Sequence, residues 1–263
     1  MSCDRLGKPP VVGQAPCAGG EARQQGDARV VAGERHADRH ARRWLLAGII
    51  LLALGLALGI VVRGDRVFPG ELALLQWLHQ PSSEALDRIA WWASRMGDTY
   101  TGLMAATIIG VLWCAWRGRR DLAIFLAVAS ACRLLNSPLK WLFESARPPL
   151  DLQAVIEPAN GLGYPSGHTF GAVLVYGGLL LVIPQTLPWP VARWAVRVVC
   201  LVMMFLIPWS RMRLGVHWPS DVAGGYLFGW GVLMLLWVSS GNWRRWKNRL
   251  RSGRRHRALT QSG

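Results

Sequence analysis

Apolar and polar positions along this chain fall into long blocks rather than into short alternations. Trp44–Val62 is a nearly unbroken apolar run, and about 20 such residues in a helix are enough to cross a bilayer. Comparable runs follow at Thr99–Trp116, Leu122–Phe143, Thr169–Leu187, Ala192–Trp209 and Val222–Ser239. In lipid the backbone must satisfy its own hydrogen bonds, so each run is predicted to be a helix. Residues 63–98 differ: Leu72, Leu75, Leu78, Leu86, Ile89 and the pair Trp91-Trp92 recur among polar residues, which predicts short amphipathic helices lying in the interface. The predicted fold is all-α: a polytopic, six-transmembrane-helix bundle over residues 44–240. It is flanked by a basic tail over 1–43 that reads as disordered and a second basic tail over 241–263.

Composition sharpens this picture. Apolar residues make up 52% of the chain and charged residues 17%, with 15 tryptophans, as expected of spans with aromatic belts at both interfaces. The net charge of +15 is concentrated at the ends, with eight Lys/Arg before Trp44 and eight after Gly241. Basic ends can bind nucleic acid. With six spans between them they are read instead as cytoplasmic anchors on anionic lipid, with no nucleic-acid partner. The Lys/Arg bias puts both tails, Arg117–Arg120 and the Arg193/Arg197 region in the cytoplasm, and loops 63–98, 144–168 and 210–218 on the outer, periplasmic side of an inner membrane. The polar start predicts no signal peptide. Cys3, Cys17, Cys114, Cys132 and Cys200 have neither metal-ligand nor CxxC spacing and are read as small hydrophobes. No repeat relates the two halves, which argues against an inverted-repeat transporter. The oligomeric state is unknown from sequence.

The chemistry-bearing residues gather in the two later outer loops. Lys140 and Arg147 are seven apart, so two helical turns bring both cations to one face before Pro148-Pro149 ends the helix. Ser166 is a helix cap for the fourth span, Gly167 allows close approach to its backbone, and His168 sits in the first turn. The free N–H groups of such a helix start suit an anion. In Ser210–Asp221, Arg211 offers a planar fork, and Asp221, four residues after His217, can orient the imidazole as a base or nucleophile. Each stretch alone also fits a snorkelling cation, a capped helix or a loop. Arg133, seven residues before Lys140 on the same face, is predicted to face the bundle interior and to bond carbonyls or polar side chains.

Together, Lys-x6-Arg-Pro (Lys140 to Pro148), Pro-Ser-Gly-His (Pro165 to His168) and Ser-Arg-x5-His-x3-Asp (Ser210 to Asp221) occur in order. This resembles the three-part signature of the type 2 phosphatidic acid phosphatase superfamily, to which the vanadium haloperoxidases also belong. The resemblance covers the third span to the start of the sixth, and the six-span plan agrees with its membrane branch. It implies a lipid phosphatase in which His217 attacks phosphorus to form a phosphohistidine. Asp221 would hold that ring, and His168 would protonate the leaving oxygen and then activate water. Lys140, Arg147, Ser166, Gly167 and Arg211 would bind the phosphate. The substrate would be a lipid phosphate or diphosphate such as phosphatidic acid, phosphatidylglycerophosphate or undecaprenyl diphosphate. Three cations and a helix start can take the role magnesium has elsewhere, and no acidic cluster has metal spacing, so neither metal nor cofactor is expected. A lipid phosphotransferase and a non-catalytic lipid-phosphate binder or transporter are the alternatives. An intact His168/His217/Asp221 set favours an enzyme, because binding alone needs only the cations.

Overall fold

The computed structural model describes residues 18–80, 83–149 and 161–241. The predicted basic tail beyond Gly241, like residues 1–17 of the first tail, lies outside them. The chain divides into two compact units, 1–41 and 42–263. Every regular element among the described residues is helical. Within the stretch 1–43, expected to be a basic tail, the backbone is helical from Ala18, the start of α1 (Ala18–Val61). Low hydrophobicity predicted a coil there, but the stretch 18–43 contains no proline and is rich in Ala, Arg, Glu and Gln, all strong helix formers.

Five helical stretches are long and apolar enough to span: Ala41–Val61, Arg120–Phe143, Gly167–Gln185, Pro190–Arg213 and Pro219–Ser239. The remaining span departs from its predicted bounds. α4 (Gly102–Trp116) has 15 residues, about 22 Å of helix, which is short for a bilayer core. It joins α3 (Glu84–Gly97) at a 52° elbow, and only the pair together is long enough. Asp98 makes the elbow. Its Oδ1 accepts from the Tyr100 and Thr101 N–H groups at 3.0 Å each and from Thr101 Oγ1 at 2.9 Å. α2 (Glu71–His79) and α3 are the short helices predicted between the first two spans.

Prolines shape two of the other spans. The third runs as α5 (Arg120–Ala131), a 3₁₀ turn at Cys132–Leu135 and α6 (Asn136–Phe143). Pro138 has no N–H to offer the Leu134 carbonyl and its ring crowds that turn, so the helix tightens just before it. Arg133 lies in this turn, half-buried, and donates from Nε to Ser130 O at 2.9 Å and from Nη1 to Thr99 O at 3.1 Å. Those carbonyl partners satisfy a charge that lipid would penalise. α9 (Pro190–Arg213) runs four residues beyond the apolar stretch that predicted it, because Arg211 and Arg213 are buried against α3 and α2. Pro208 lies inside α9 and leaves the Met204 carbonyl without its usual partner. The Tyr226 hydroxyl of α10 (Pro219–Ser239) donates to that carbonyl at 2.5 Å.

The fourth span lies at the centre of the bundle. It is α7 (Gly167–Ala172), a π turn at Val173–Gly177, α8 (Gly178–Val182) and a short 3₁₀ end. It is the most buried of the spans, packed by α5, α9 and α10. α9 instead shows Trp194, Val198, Leu201 and Phe205 on the outside, a face suited to acyl chains. Gly48 and Gly231 let α1 and α10 meet at backbone distance: a Cβ at Gly48 would lie 3.1 Å from Gly231 O. Small residues permit such close packing in membranes.

The Tyr226–Met204 bond yields a test. Tyr226→Phe should cost about 1 kcal/mol of stability, measured by denaturant unfolding in mixed micelles. In a Pro208→Ala background, where the restored backbone N–H can reach Met204 O, the same change should cost much less. An equal loss in both backgrounds would show that the hydroxyl does not compensate for Pro208.

Candidate functional site

The second and third motif stretches meet at Asp221, which is completely buried. Its Oδ2 accepts from Trp218 N at 3.1 Å and pairs with His217 Nδ1 at 3.0 Å. Its backbone oxygen accepts from Ser166 N at 2.9 Å. Asp221 therefore fixes the His217 ring, closes the first turn of α10 and holds the start of α7.

The cations cross-link the same stretches. Lys140 on α6 donates to Leu162 O and, at 3.3 Å, to Gly163 O. Arg147 donates from Nη1 to Val216 O at 2.8 Å, and the same nitrogen lies 3.4 Å from His217 Nε2. Arg211 donates to Ser94 Oγ on α3. Each cation rests on a neutral oxygen, so an incoming phosphate would only have to exchange partners. The set also changes how the charged groups hold their protons. Burial, with Arg211 close by, lowers Arg147 to about 10, still charged at neutral pH. Burial first, then Arg147, Lys140 and Arg211, hold the His217 imidazole well below its ordinary 6.5, so it is neutral. With Nδ1–H given to Asp221, its Nε2 carries the lone pair and faces the cations.

The second stretch departs in part from expectation. Ser166 stands at the N-cap of α7, but its hydroxyl makes no capping bond. Its Oγ is fully buried without a hydrogen-bond partner, as is His168 Nε2. The start of α7 is held instead through the backbone, by Asp221 O on Ser166 N. Gly167 meets a neighbour that the sequence did not announce: a Cβ there would lie 2.8 Å from Asn136 Oδ1, while Asn136 Nδ2 donates to Pro165 O at 3.2 Å. All eight candidate residues (Lys140, Arg147, Ser166, Gly167, His168, Arg211, His217 and Asp221) thus belong to one connected cluster.

Other members come from outside the motifs. Ser94 and Gly97 lie on one buried face of α3; Ser94 receives Arg211, and a Cβ at Gly97 would come within 3.1 Å of His168 Cδ2 and 2.3 Å of Ile207 Cγ2. Gly163 packs against Asp221, where a Cβ would sit 2.9 Å from Oδ2. The only signal for the α3 pair was its spacing of three, on the same side of the helix as Ala90. Among the described residues no group of three His, Cys, Asp or Glu side chains could hold a metal ion.

Residues 121–245 match the family model of the PAP2 superfamily. The chain is 31% identical to phosphatidylglycerophosphatase B of Escherichia coli (strain K12), over 66% of this chain and 84% of that one. It is 29% identical to phosphatidylglycerophosphatase B of Bacillus subtilis (strain 168), over 59% of this chain and 74% of the relative. Identity is 25% to an undecaprenyl-diphosphatase of Sulfolobus acidocaldarius, over 68% of this chain and 84% of the relative. Among solved structures it superposes on the transmembrane PAP2 type phosphatidylglycerolphosphate phosphatase from Bacillus subtilis with a TM-score of 0.63 at 25% identity, covering 75% of this chain and 96% of that chain. The likeness thus takes in both the helical bundle and the cluster around Asp221, and the chain belongs to the PAP2 superfamily as a multi-pass membrane protein.

Proposed function

We propose that this protein is a metal-independent lipid phosphatase that removes phosphate from a lipid phosphomonoester or diphosphate through a phosphohistidine at His217. The observation that carries the reading is the His217 ring itself: Nδ1 is engaged by Asp221 at 3.0 Å, and Nε2 is turned toward Arg147. A binding site for phosphate has no need of a neutral imidazole oriented by a buried carboxylate; a nucleophile does. The names of its relatives, phosphatidylglycerophosphatase B and undecaprenyl-diphosphatase, support a lipid phosphate or diphosphate as substrate.

The chemistry runs in two displacements. Lys140, Arg147 and Arg211, with the Ser166 hydroxyl and the Gly167 N–H, take the phosphate oxygens and spread their charge. The Nε2–P bond forms as the P–O bond to the lipid breaks, and His168 gives its proton to the leaving oxygen. Asp221 stabilises the charge that His217 gains. Water then attacks phosphorus, its proton passes to His168, the P–N bond breaks and phosphate leaves. Charge neutralisation by fixed cations makes a metal unnecessary, and the described residues offer no ligand cluster for one.

The reading is tested with purified protein, EDTA and a panel of phosphatidic acid, phosphatidylglycerophosphate and undecaprenyl diphosphate. Hydrolysis of at least one should persist in EDTA. His217→Ala should form no phosphoenzyme with p-nitrophenyl phosphate. His168→Ala should lose about 10²–10⁴-fold on lipid, yet accumulate an acid-labile phosphoenzyme with p-nitrophenyl phosphate, whose leaving group needs no proton. Phosphate mapped to 168, or activity that disappears with EDTA and returns with magnesium, would refute the assignment.

We also place the site on the periplasmic face, from the Lys/Arg bias of the loops. Tyr100 at the α3–α4 elbow and Arg117 at the far end of α4 are both exposed. On a background lacking native cysteines, an impermeant maleimide should label Tyr100→Cys from outside intact cells and leave Arg117→Cys unlabelled. The opposite pattern would invert the topology.

A further inference from the structure

The turn that carries His217, residues 214–218, joins the end of α9 to the start of α10. Leu214 and Val216 within it are fully buried. Both ends of this turn are fastened to the same short helix, α2. Arg213, the last residue of α9, donates to Leu78 O near the C-terminus of α2 and also binds Asp87 Oδ1 of α3 at 2.9 Å. At the other end, Ser220 N of α10 donates to Glu71 Oε1 at 2.6 Å, and Glu71 is the first residue of α2. A nine-residue helix, about 12 Å from first residue to last, thus bridges the two ends of the turn.

The start of α10 depends on this outside help. The N-cap residue is Trp218, whose indole can only donate, so it offers no acceptor to the first turn. Pro219 has no N–H. Asp221 at the third position turns its Oδ2 back to Trp218 N and His217, which commits that oxygen. Ser220 N–H is an orphan donor of the helix start. Glu71, itself buried, answers it from 149 residues away. Its other oxygen accepts from Phe68 N at 3.0 Å, which fixes the carboxylate. A negative charge at this end of α10 also suits the helix dipole.

We propose that Glu71 is a positioning residue for His217: by capping Ser220 it holds the first turn of α10, and with it Asp221 and the imidazole, in the geometry for attack. This rests on the phosphatase reading above, with His217 as nucleophile. Glu71 touches neither the phosphate site nor a proposed reacting atom, so its loss should slow the chemical step and leave substrate binding unchanged.

The test uses full-length protein in detergent micelles with dioctanoyl phosphatidic acid as probe. Glu71→Ala and Glu71→Asp, whose carboxylate falls one methylene short, should both lose about 10- to 100-fold in kcat, with KM within twofold of wild type. Glu71→Gln, whose carboxamide oxygen can still accept from Ser220 although its NH2 gives up the bond from Phe68 N, should lose less than threefold. Hydrogen exchange followed by mass spectrometry should show a peptide over 214–224 exchanging at least tenfold faster in Glu71→Ala and Glu71→Asp, with α4 unchanged. That measurement needs no turnover. If wild type hydrolyses none of the lipids, the phosphatase reading fails while exchange still decides whether Glu71 holds the turn. If Glu71→Ala does not fold, Glu71→Asp against Glu71→Gln carries the comparison. In Glu71→Ala or Glu71→Asp, unchanged exchange, a kcat within twofold of wild type or a rise in KM at constant kcat would each overturn the proposal, as would equal losses in Glu71→Gln and Glu71→Asp.

Discussion

A buried carboxylate is costly unless its oxygens are answered, and the arrangement of this site follows from how Asp221 is answered. Oδ2 takes both His217 Nδ1 and Trp218 N, the backbone oxygen takes Ser166 N, and Oδ1 is buried without a hydrogen-bond partner among the described residues. Gly163 lies so close that a methyl group there would meet the carboxylate at 2.9 Å. Segments far apart in the chain therefore converge on one residue. Removing that carboxylate would loosen the imidazole and the first turn of α10 together, while the backbone bond to Ser166 N would remain. The cations close the assembly from the other side: Lys140 on the carbonyls of Leu162 and Gly163, Arg147 on that of Val216.

The segment between the first two spans belongs to the site as fully as the motif loops do. α3 carries Ser94 to Arg211 and Gly97 to His168. Its end is held by Tyr176, whose hydroxyl donates to Met96 O at 3.2 Å from the π turn of the central span. The elbow at Asp98 is what allows this. A straight helix through Thr99 would carry α3 away from α9, whereas the 52° bend lays it against that helix. The carbonyl of Thr99, exposed by that bend, is taken by Arg133. The charge within the third span and the break in the second thus satisfy one another.

Much of this was legible in the sequence because its signals are local. Apolar runs gave the spans, and fixed spacings gave Lys140 with Arg147 and His217 with Asp221. What remained hidden depends on contacts across the fold. Pro208 falls within the span predicted over Ala192–Trp209, but that a tyrosine on α10 takes the carbonyl it frees could not be read from spacing. Ser166 reads as a cap, yet its hydroxyl is left without a partner, and the helix start is tied to the fold through Ser166 N on Asp221 O. Glu71, Ser94 and Asn136 are polar residues in amphipathic or apolar stretches, and no spacing links them to partners 149, 117 and 29 residues away.

The central claim is that Asp221 sets the tautomer and orientation of His217, and Asp221→Asn tests it most directly. The amide keeps the shape, but its oxygen no longer carries the charge that holds the proton on His217 Nδ1, and turned over it presents an NH2 that donates to Nδ1 instead. The imidazole then favours the tautomer with hydrogen on Nε2, which cannot attack phosphorus. Rapid-quench measurement of phosphoenzyme formation on p-nitrophenyl phosphate should show a fall of about 10⁴-fold, the scale seen when a carboxylate that orients a histidine is replaced by its amide. Vanadate affinity should stay within a few-fold, because the cations proposed to bind phosphate are untouched. A phosphoenzyme forming within tenfold of the wild-type rate would contradict the account.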